Sequence, residues 1–376
     1  MDVDLAPEPP PAAPVRTRRR LLTGLCWLLS LPVPGLLAVR LTGLERGPLV
    51  QLVAFTPYLL AWASLPLGLA LATRRRWAAG TSAVAVLVLL VLVAPRALPD
   101  RQPATGGTSL RVLTANLLAG AAEPAALVAL VRAERVDVLA AQEFTPDAEA
   151  ALHRLGLAEL LPYRQVNPEL GTTGSALYSR HPLRQAGTRR NGGGFSQAYA
   201  TVHPPDGPAV LVESVHPLAP ASLTGLPDWR ADLAAQPPAT PDGPLRVLAG
   251  DFNATLDHAP LRDLLDTGYV DAADSVGMGL TGTWGPYDGD PIPPVTIDHV
   301  LVDRRIAVDR VAVFRLPGSD HRPVLADLAL PTRCPAPSPT HPLTGPEPLP
   351  TPLAGPERPG LAAGSGRGAC PPAGRP

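Results

Sequence analysis

The sequence predicts an α/β protein in which three apolar membrane-spanning helices precede one mixed α/β domain. Three observations carry this reading. Apolar stretches run from Leu21 to Val39, Leu49 to Ala72 and Trp77 to Ala94, each long enough or nearly so for the roughly 20 helical residues that cross a bilayer. From Arg101 to about Leu330 the texture changes to short β-like runs alternating with helix-periodic segments. After that the chain turns to Pro and Gly.

Taken in order, residues 1–20 form a cytoplasmic segment, acidic and Pro-rich at first and ending in Arg16, Arg18, Arg19 and Arg20. A cleaved signal peptide is one alternative for Leu21–Val39, but no small-x-small site follows and two more apolar stretches do. A buried helical hairpin of a soluble domain is another, yet the three stretches are apolar around their whole circumference and leave no solvated face. Residues 21–98 therefore read as three transmembrane helices, with Pro32, Pro34, Pro57 and Pro66 tolerable where neighbouring helices re-satisfy freed backbone groups. The arginines before the first span, with Arg74, Arg75 and Arg76 after the second, outnumber Arg40 and Arg46 between them. The positive-inside rule then puts the N-terminus in the cytoplasm and everything after Leu98 outside. The expected location is a bacterial cell membrane, multi-pass, with the domain extracytoplasmic.

Within residues 101–330, strand-like runs are Leu110–Ala115, Val136–Ala141, Ala209–Val215, Leu245–Ala249 and Ile297–Val302, and Glu123–Glu134 and Asp147–Leu155 have helical spacing. Residues 331–376 hold 14 Pro and seven Gly, too little apolar area to offset ordering entropy, so they read as a disordered tail. Of three cysteines, Cys26 sits in an apolar run as a small buried hydrophobe, and Cys334 and Cys370 lie in the tail, where a bridge between them has nothing to support it. The net charge of −1 gives no bulk attraction to nucleic acid.

Six polar clusters fall at or just beyond strand ends: Asn116; Gln142 and Glu143; His216; Asp251 and Asn253; Asp298 and His299; Ser319, Asp320 and His321. Singly each has a bland reading: Asn116 as a turn residue, Glu143 as a cap for the helix near Asp147, Asp320 as another cap, His216 as a loop histidine. A carboxylate among strand formers is costly to bury unless paired or metal-bound. Together the carboxylates, histidines and amides are what phosphodiester hydrolysis needs, to screen phosphate charge, deprotonate water and protonate a leaving oxygen.

In the order Asn, Gln-Glu, His, Gly-Asp-Phe-Asn, Asp-His and Ser-Asp-His, the chain resembles the endonuclease/exonuclease/phosphatase superfamily over about residues 108–330, and the His216 to Trp229-Arg230 segment is similar to its membrane-anchored bacterial members. The resemblance implies a four-layer α/β sandwich of two packed β-sheets with outer helices and a Mg²⁺ (or Mn²⁺) site. It implies that Glu143 is the principal metal carboxylate with Asn116 and Asp320 nearby, that Asp298 holds His321 as a base or transition-state stabiliser, that Asp251 and Asn253 orient the nucleophile and a phosphoryl oxygen, and that His216 is a phosphate-side acid. Leu118, where several relatives carry a second polar group, and the lack of a basic, aromatic-interleaved loop depart from the nucleases; Arg189-Arg190 reads as a solvated turn. The function expected is hydrolysis of a phosphodiester, pyrophosphate or phosphomonoester, of a membrane-surface lipid above all. A membrane-anchored extracellular nuclease and a catalytically idle scaffold are the alternatives.

Overall fold

The computed structural model describes residues 14–103, 106–285 and 292–332. All but residues 331 and 332 of the expected disordered tail, 331–376, with the Cys334 to Cys370 pairing and the first 13 residues, lies outside the described residues.

The N-terminal part is helical: α1 (Pro14–Ser30), α2 (Pro32–Thr42), a short α3 (Leu49–Val53), α4 (Thr56–Ala72) and α5 (Arg76–Val93). Two helical runs, Arg19–Thr42 and Arg76–Ala97, are long and apolar enough to cross a membrane. The expected middle span is not one helix. It divides into α3 and α4 at Ala54 and Phe55, because Pro57 has no N–H to return to the carbonyl of Val53, and α4 alone has 17 residues. The legs pack through Val33, Leu37, Ala63, Ala85 and Leu89, and through Cys26, Ala70, Ala78 and Ala79. Leucines such as Leu21, Leu28, Leu65, Leu71 and Leu87 point outward.

The remaining elements are β1 (Ser109–Asn116), α6 (Pro124–Ala133), β2 (Val138–Gln142), α7 (Pro146–Arg154), α8 (Leu157–Leu160), β3 (Tyr163–Asn167), β4 (Ser175–Ser179), β5 (Leu183–Arg190), β6 (Ser196–Val202), β7 (Val210–Val215), α9 (Leu226–Ala234), β8 (Leu245–Asp251), α10 (Ala259–Asp266), β9 (Tyr269–Asp271), α11 (Ala272–Ser275), β10 (Asp298–Asp303), β11 (Ala307–Val313) and β12 (Val324–Ala329). They form two six-stranded sheets, ordered β11-β12-β1-β2-β4-β3 and β5-β6-β7-β8-β10-β9. Strand periodicity sorts the side chains: in β1, Leu110 and Val112 enter the core between the sheets, and Leu113 and Ala115 pack under α6 and α7. A third core, with Trp229, Leu233, Phe252 and Leu261, lies beneath α9 and α10 and also takes Val50 of α3. Helices, sheet, sheet and helices thus make the four layers.

Each sheet has one parallel pair at its centre, β1 with β2 and β7 with β8, and antiparallel strands elsewhere. Parallel neighbours end together, so Asn116 aligns with Gln142, and Val215 with Gly250. Antiparallel β10 sets Asp298 opposite Asp251. Those line-ups gather the polar clusters at one rim.

The helical part is docked on the domain by specific bonds. Asp257 accepts from Arg40 Nε at 2.6 Å and from Arg96 Nη1 and Nη2 at 2.8 and 2.7 Å, all three residues being buried. The Ala259 N–H donates to Glu45 at 2.7 Å, and Arg230 and Arg262 donate to the carbonyls of Glu45 and Arg40.

Candidate active site

Asn116 closes β1 and holds two acids together: its Nδ2 donates to Glu143 Oε1 and to Asp251 Oδ2, both at 3.1 Å, and its Oδ1 accepts from the Leu118 N–H at 3.0 Å. Glu143 follows β2 with a positive φ of 55°, a conformation costly for a side chain with a Cβ and persistent where surroundings impose it. Here the Ala119 N–H donates to its Oε2 at 2.6 Å. Glu143 is therefore no helix cap; Thr145 Oγ1 caps α7 by accepting from the Ala148 N–H.

Asp251 ends β8 directly after Gly250, where a Cβ would stand 1.9 Å from the Val215 carbonyl oxygen. The glycine lets β7 and β8 meet closely enough to set Asp251 beside His216. His216 Nε2 and His321 Nε2 flank Asp251 Oδ2 at 3.6 and 3.7 Å. Asn253, also at positive φ (49°), donates its N–H to Asp251 Oδ1 at 2.8 Å and its Nδ2 to the Pro217 carbonyl. His321 Nδ1 donates to Asp298, with oxygens at 2.9 and 3.1 Å. Asp320 accepts from Trp284 Nε1 at 2.7 Å, and its other oxygen is buried without a hydrogen-bond partner. Ser319 Oγ donates to the Asn116 carbonyl and accepts from the His321 N–H, tying this loop to β1.

The electrostatics follow from burying acids together. Burial pushes Glu143 and Asp251 above the usual carboxylate range, hydrogen bonds and His321 opposing it. Burial drives His216 down to about 4. Burial would lower His321 too, but Asp298 and Asp251 overcome it and lift the imidazole to about 10. One neutral and one cationic imidazole thus border the same oxygen of Asp251.

All eight expected site residues, Asn116, Glu143, His216, Asp251, Asn253, Asp298, Asp320 and His321, belong to this one linked network. Two other members of the sequence clusters do not. Gln142 spans the sheets, accepting from Thr114 and donating to Ser214. His299 faces away from Asp298, as adjacent strand residues must, and bonds Asp271 and the Ala254 carbonyl. Arg189 and Arg190 are not a solvated turn: they lie on β5 and pair with Glu213 and Glu169.

Hard oxygen donors suit a divalent cation of the Mg²⁺ type, and Asp320 Oδ1, buried without a hydrogen-bond partner 3.9 Å from His321 Nε2 in the cleft that Glu143 and Asp251 also line, fits one. Ligand atoms of Asp251, Asp298 and His321 also lie within 4.8 Å of one another. His321 Nδ1 is already committed to Asp298 there, so this trio reads as a dyad facing a carboxylate.

The site floors a cleft of about 520 Å³ lined by Glu143, His216, Asp251, Asn253, Asp320 and His321. Apolar residues also line the cleft, among them Val50, Ala54, Phe55, Ile292 and Phe195, which packs edge-on against His216. These residues escape sequence reasoning: Val50, Ala54 and Phe55 look like part of a span, and Phe195 and Ile292 sit in loops without a motif. Among the described residues no arginine lines the cleft.

Comparison with curated proteins finds no significant match. Among solved structures, the chain resembles an endonuclease/exonuclease/phosphatase protein of Beutenbergia cavernae (20% identity over 59% of this chain and 72% of that one, TM-score 0.48). It also resembles a family member from Bacteroides thetaiotaomicron (17%, 60% and 96%, 0.46) and that organism's mannosyl-6-phosphatase (18%, 58% and 99%, 0.44). The profile of the Endonuclease/Exonuclease/phosphatase family matches residues 113–321, over half of the chain and from β1 to His321 itself, so this protein belongs to that family of phosphoester hydrolases.

Proposed function

We propose that the protein is a membrane-anchored, extracytoplasmic, Mg²⁺-dependent phosphoesterase that hydrolyses a phosphodiester, pyrophosphate or phosphomonoester of a lipid at the membrane surface. The observation that carries the reading is the convergence of Glu143, Asp251, Asp320, His216 and His321 on one cleft beside the helical anchor. Glu143 and Asp320, with Asn116 orienting the first, would hold a Mg²⁺ or Mn²⁺ ion, which supplies charge neutralisation at the phosphoryl oxygens. Asp251, steadied by the Asn253 N–H and the Asn116 amide, orients a water and accepts its proton as the water oxygen bonds to phosphorus. His321, held by Asp298, presents an imidazolium to the developing negative charge. His216, neutral at pH 7 and so not the phosphate-side acid that the resemblance implies, borders the same Asp251 oxygen as His321, and Asn253 the other oxygen. They position the phosphoryl group as the bond to the leaving oxygen breaks and that oxygen departs to take up a proton from water.

Three spans and an external domain are supported by how the helices return. Arg75 Nη2 donates to the Arg19 carbonyl, so arginines of α1 and of the α4–α5 turn meet at the end far from the domain. At the near end Arg40 and Arg96 are neutralised by Asp257, which sharpens the asymmetry read from the sequence. Among the described residues the cleft is lined by acids, histidines and apolar side chains and by no arginine, which favours a small phosphate headgroup over polyanionic nucleic acid.

The test is an assay of the full chain in lipid nanodiscs with Mg²⁺ against phospholipids, a polyprenyl pyrophosphate and plasmid DNA. EDTA-sensitive release of phosphate or headgroup from a lipid is expected. Cleavage of DNA alone, or activity indifferent to EDTA, overturns the reading.

A further inference from the structure

Resting on the phosphoesterase reading, we infer that the anchor is part of the substrate site: α3 with Ala54 and Phe55, together with Ile292, forms a subsite for the hydrocarbon chain of an amphipathic phosphoester. Four observations lead there. The apolar wall is continuous with the catalytic floor, Val50, Ala54 and Phe55 bordering the same cavity as Asp251 and His321. Its position is fixed by the domain itself, since His258 Nε2 bonds the Val50 carbonyl at 2.9 Å and Gln51 Nε2 donates to the Pro220 carbonyl at 2.5 Å. Exposed leucines continue from the helices through Leu44, in the connection before α3, and Leu52 of α3 itself to the level of the cleft.

The domain matches that level. Among its exposed large apolar side chains, Leu223 lies 3.8 Å from the position of a Cβ on Gly47, Leu280 shares a second small cavity with Pro57 and Tyr58, and Ile292 lines the cleft. A soluble headgroup needs no such collar; a chain lying partly in the bilayer does, because each methylene kept from water is worth about 0.8 kcal/mol. The headgroup then meets the buried acids while its chain stays on an apolar path.

The full chain in nanodiscs with Mg²⁺ is compared on methyl and octyl p-nitrophenyl phosphate, which share one reacting bond, and for binding of methylphosphonate and octylphosphonate. The octyl compounds should be favoured by about tenfold or more in kcat/KM and in affinity. Phe55→Gln and Ile292→Gln should each narrow that preference severalfold, leaving the methyl compounds within about twofold of wild type. Equal treatment of the chain lengths by the wild type, a preference untouched in both variants, or variants that weaken methyl and octyl compounds alike would overturn the subsite. No cleavage of either ester with a retained, variant-sensitive octylphosphonate preference would instead overturn the phosphodiester branch of the proposed function and uphold the subsite. Neither cleavage nor binding would overturn both.

Discussion

At the scale of single residues, the network around Asp251 sets distinct expectations for each member. Glu143→Gln should raise the Mg²⁺ concentration giving half-maximal rate, since a neutral amide binds a hard cation less well; an unchanged metal dependence would exclude it as the ligand. Asp251→Asn, His321→Ala and Asp298→Asn should chiefly lower turnover, by roughly 10²- to 10⁴-fold. Because His321 and Asp298 share a bond of 2.9 Å, their double variant should fall little below the worse single one, and strictly multiplicative losses would show that they act apart. The raised His321 also has a stability consequence in EDTA-treated protein. Its pKa moves from 6.5 up to about 10 on folding, so its contribution is complete below pH 6.5 and is lost as pH rises toward 10. Melting temperature should fall across that window in the wild type and much less in Asp298→Asn. These residues were legible in the sequence because carboxylates and histidines among strand formers are costly without a purpose. Separating Asp298 from His299, or seeing that Gln142 spans the sheets, needed side-chain direction, which spacing alone left open.

At the scale of elements, the strands read correctly from sequence were those bearing the parallel pairs and their neighbour β10. They are continuous apolar runs because both faces are covered. Other strands were hidden: the edge strands β5, LRQAGTRR, and β3, YRQVN, are exposed or half-buried, and the interior strand β12, VLADLA, has no strand-like alternation. The middle apolar stretch showed its length but not its break, although Pro57 marked the place. What joins this helical part to the domain was invisible, since Asp257 lies 161 residues from Arg96. Burial would raise Asp257, but Arg96 and Arg40 outweigh it and hold the carboxyl below the usual range. Its contribution is therefore complete above pH 3.8 and is lost only as pH falls through the lower folded value. Asp257→Ala leaves two buried guanidinium groups unpaired and should cost about 3–5 kcal/mol, seen as a lower melting temperature and faster proteolysis between α5 and β1. A variant as stable and as resistant as the wild type would show that the junction does not depend on this cluster.

At the scale of the whole molecule, the proposed topology places both ends of the helical part unambiguously. An export-dependent reporter fused after residue 330 should be active, and one fused at Arg75 should report the cytoplasm; the reverse pattern would place the cleft inside the cell. With the proposed topology and lipid substrate, the position of that cleft, lined by α3 and the link to α4, would also determine which concentration the enzyme senses. A catalyst fixed at this height samples molecules that diffuse laterally in a leaflet, so its velocity should follow their mole fraction there and be nearly indifferent to the volume of buffer above. Mixing an inert lipid into the bilayer at constant total substrate would then slow turnover as effectively as removing substrate, and kinetics recorded in micelles would carry the signature of surface dilution.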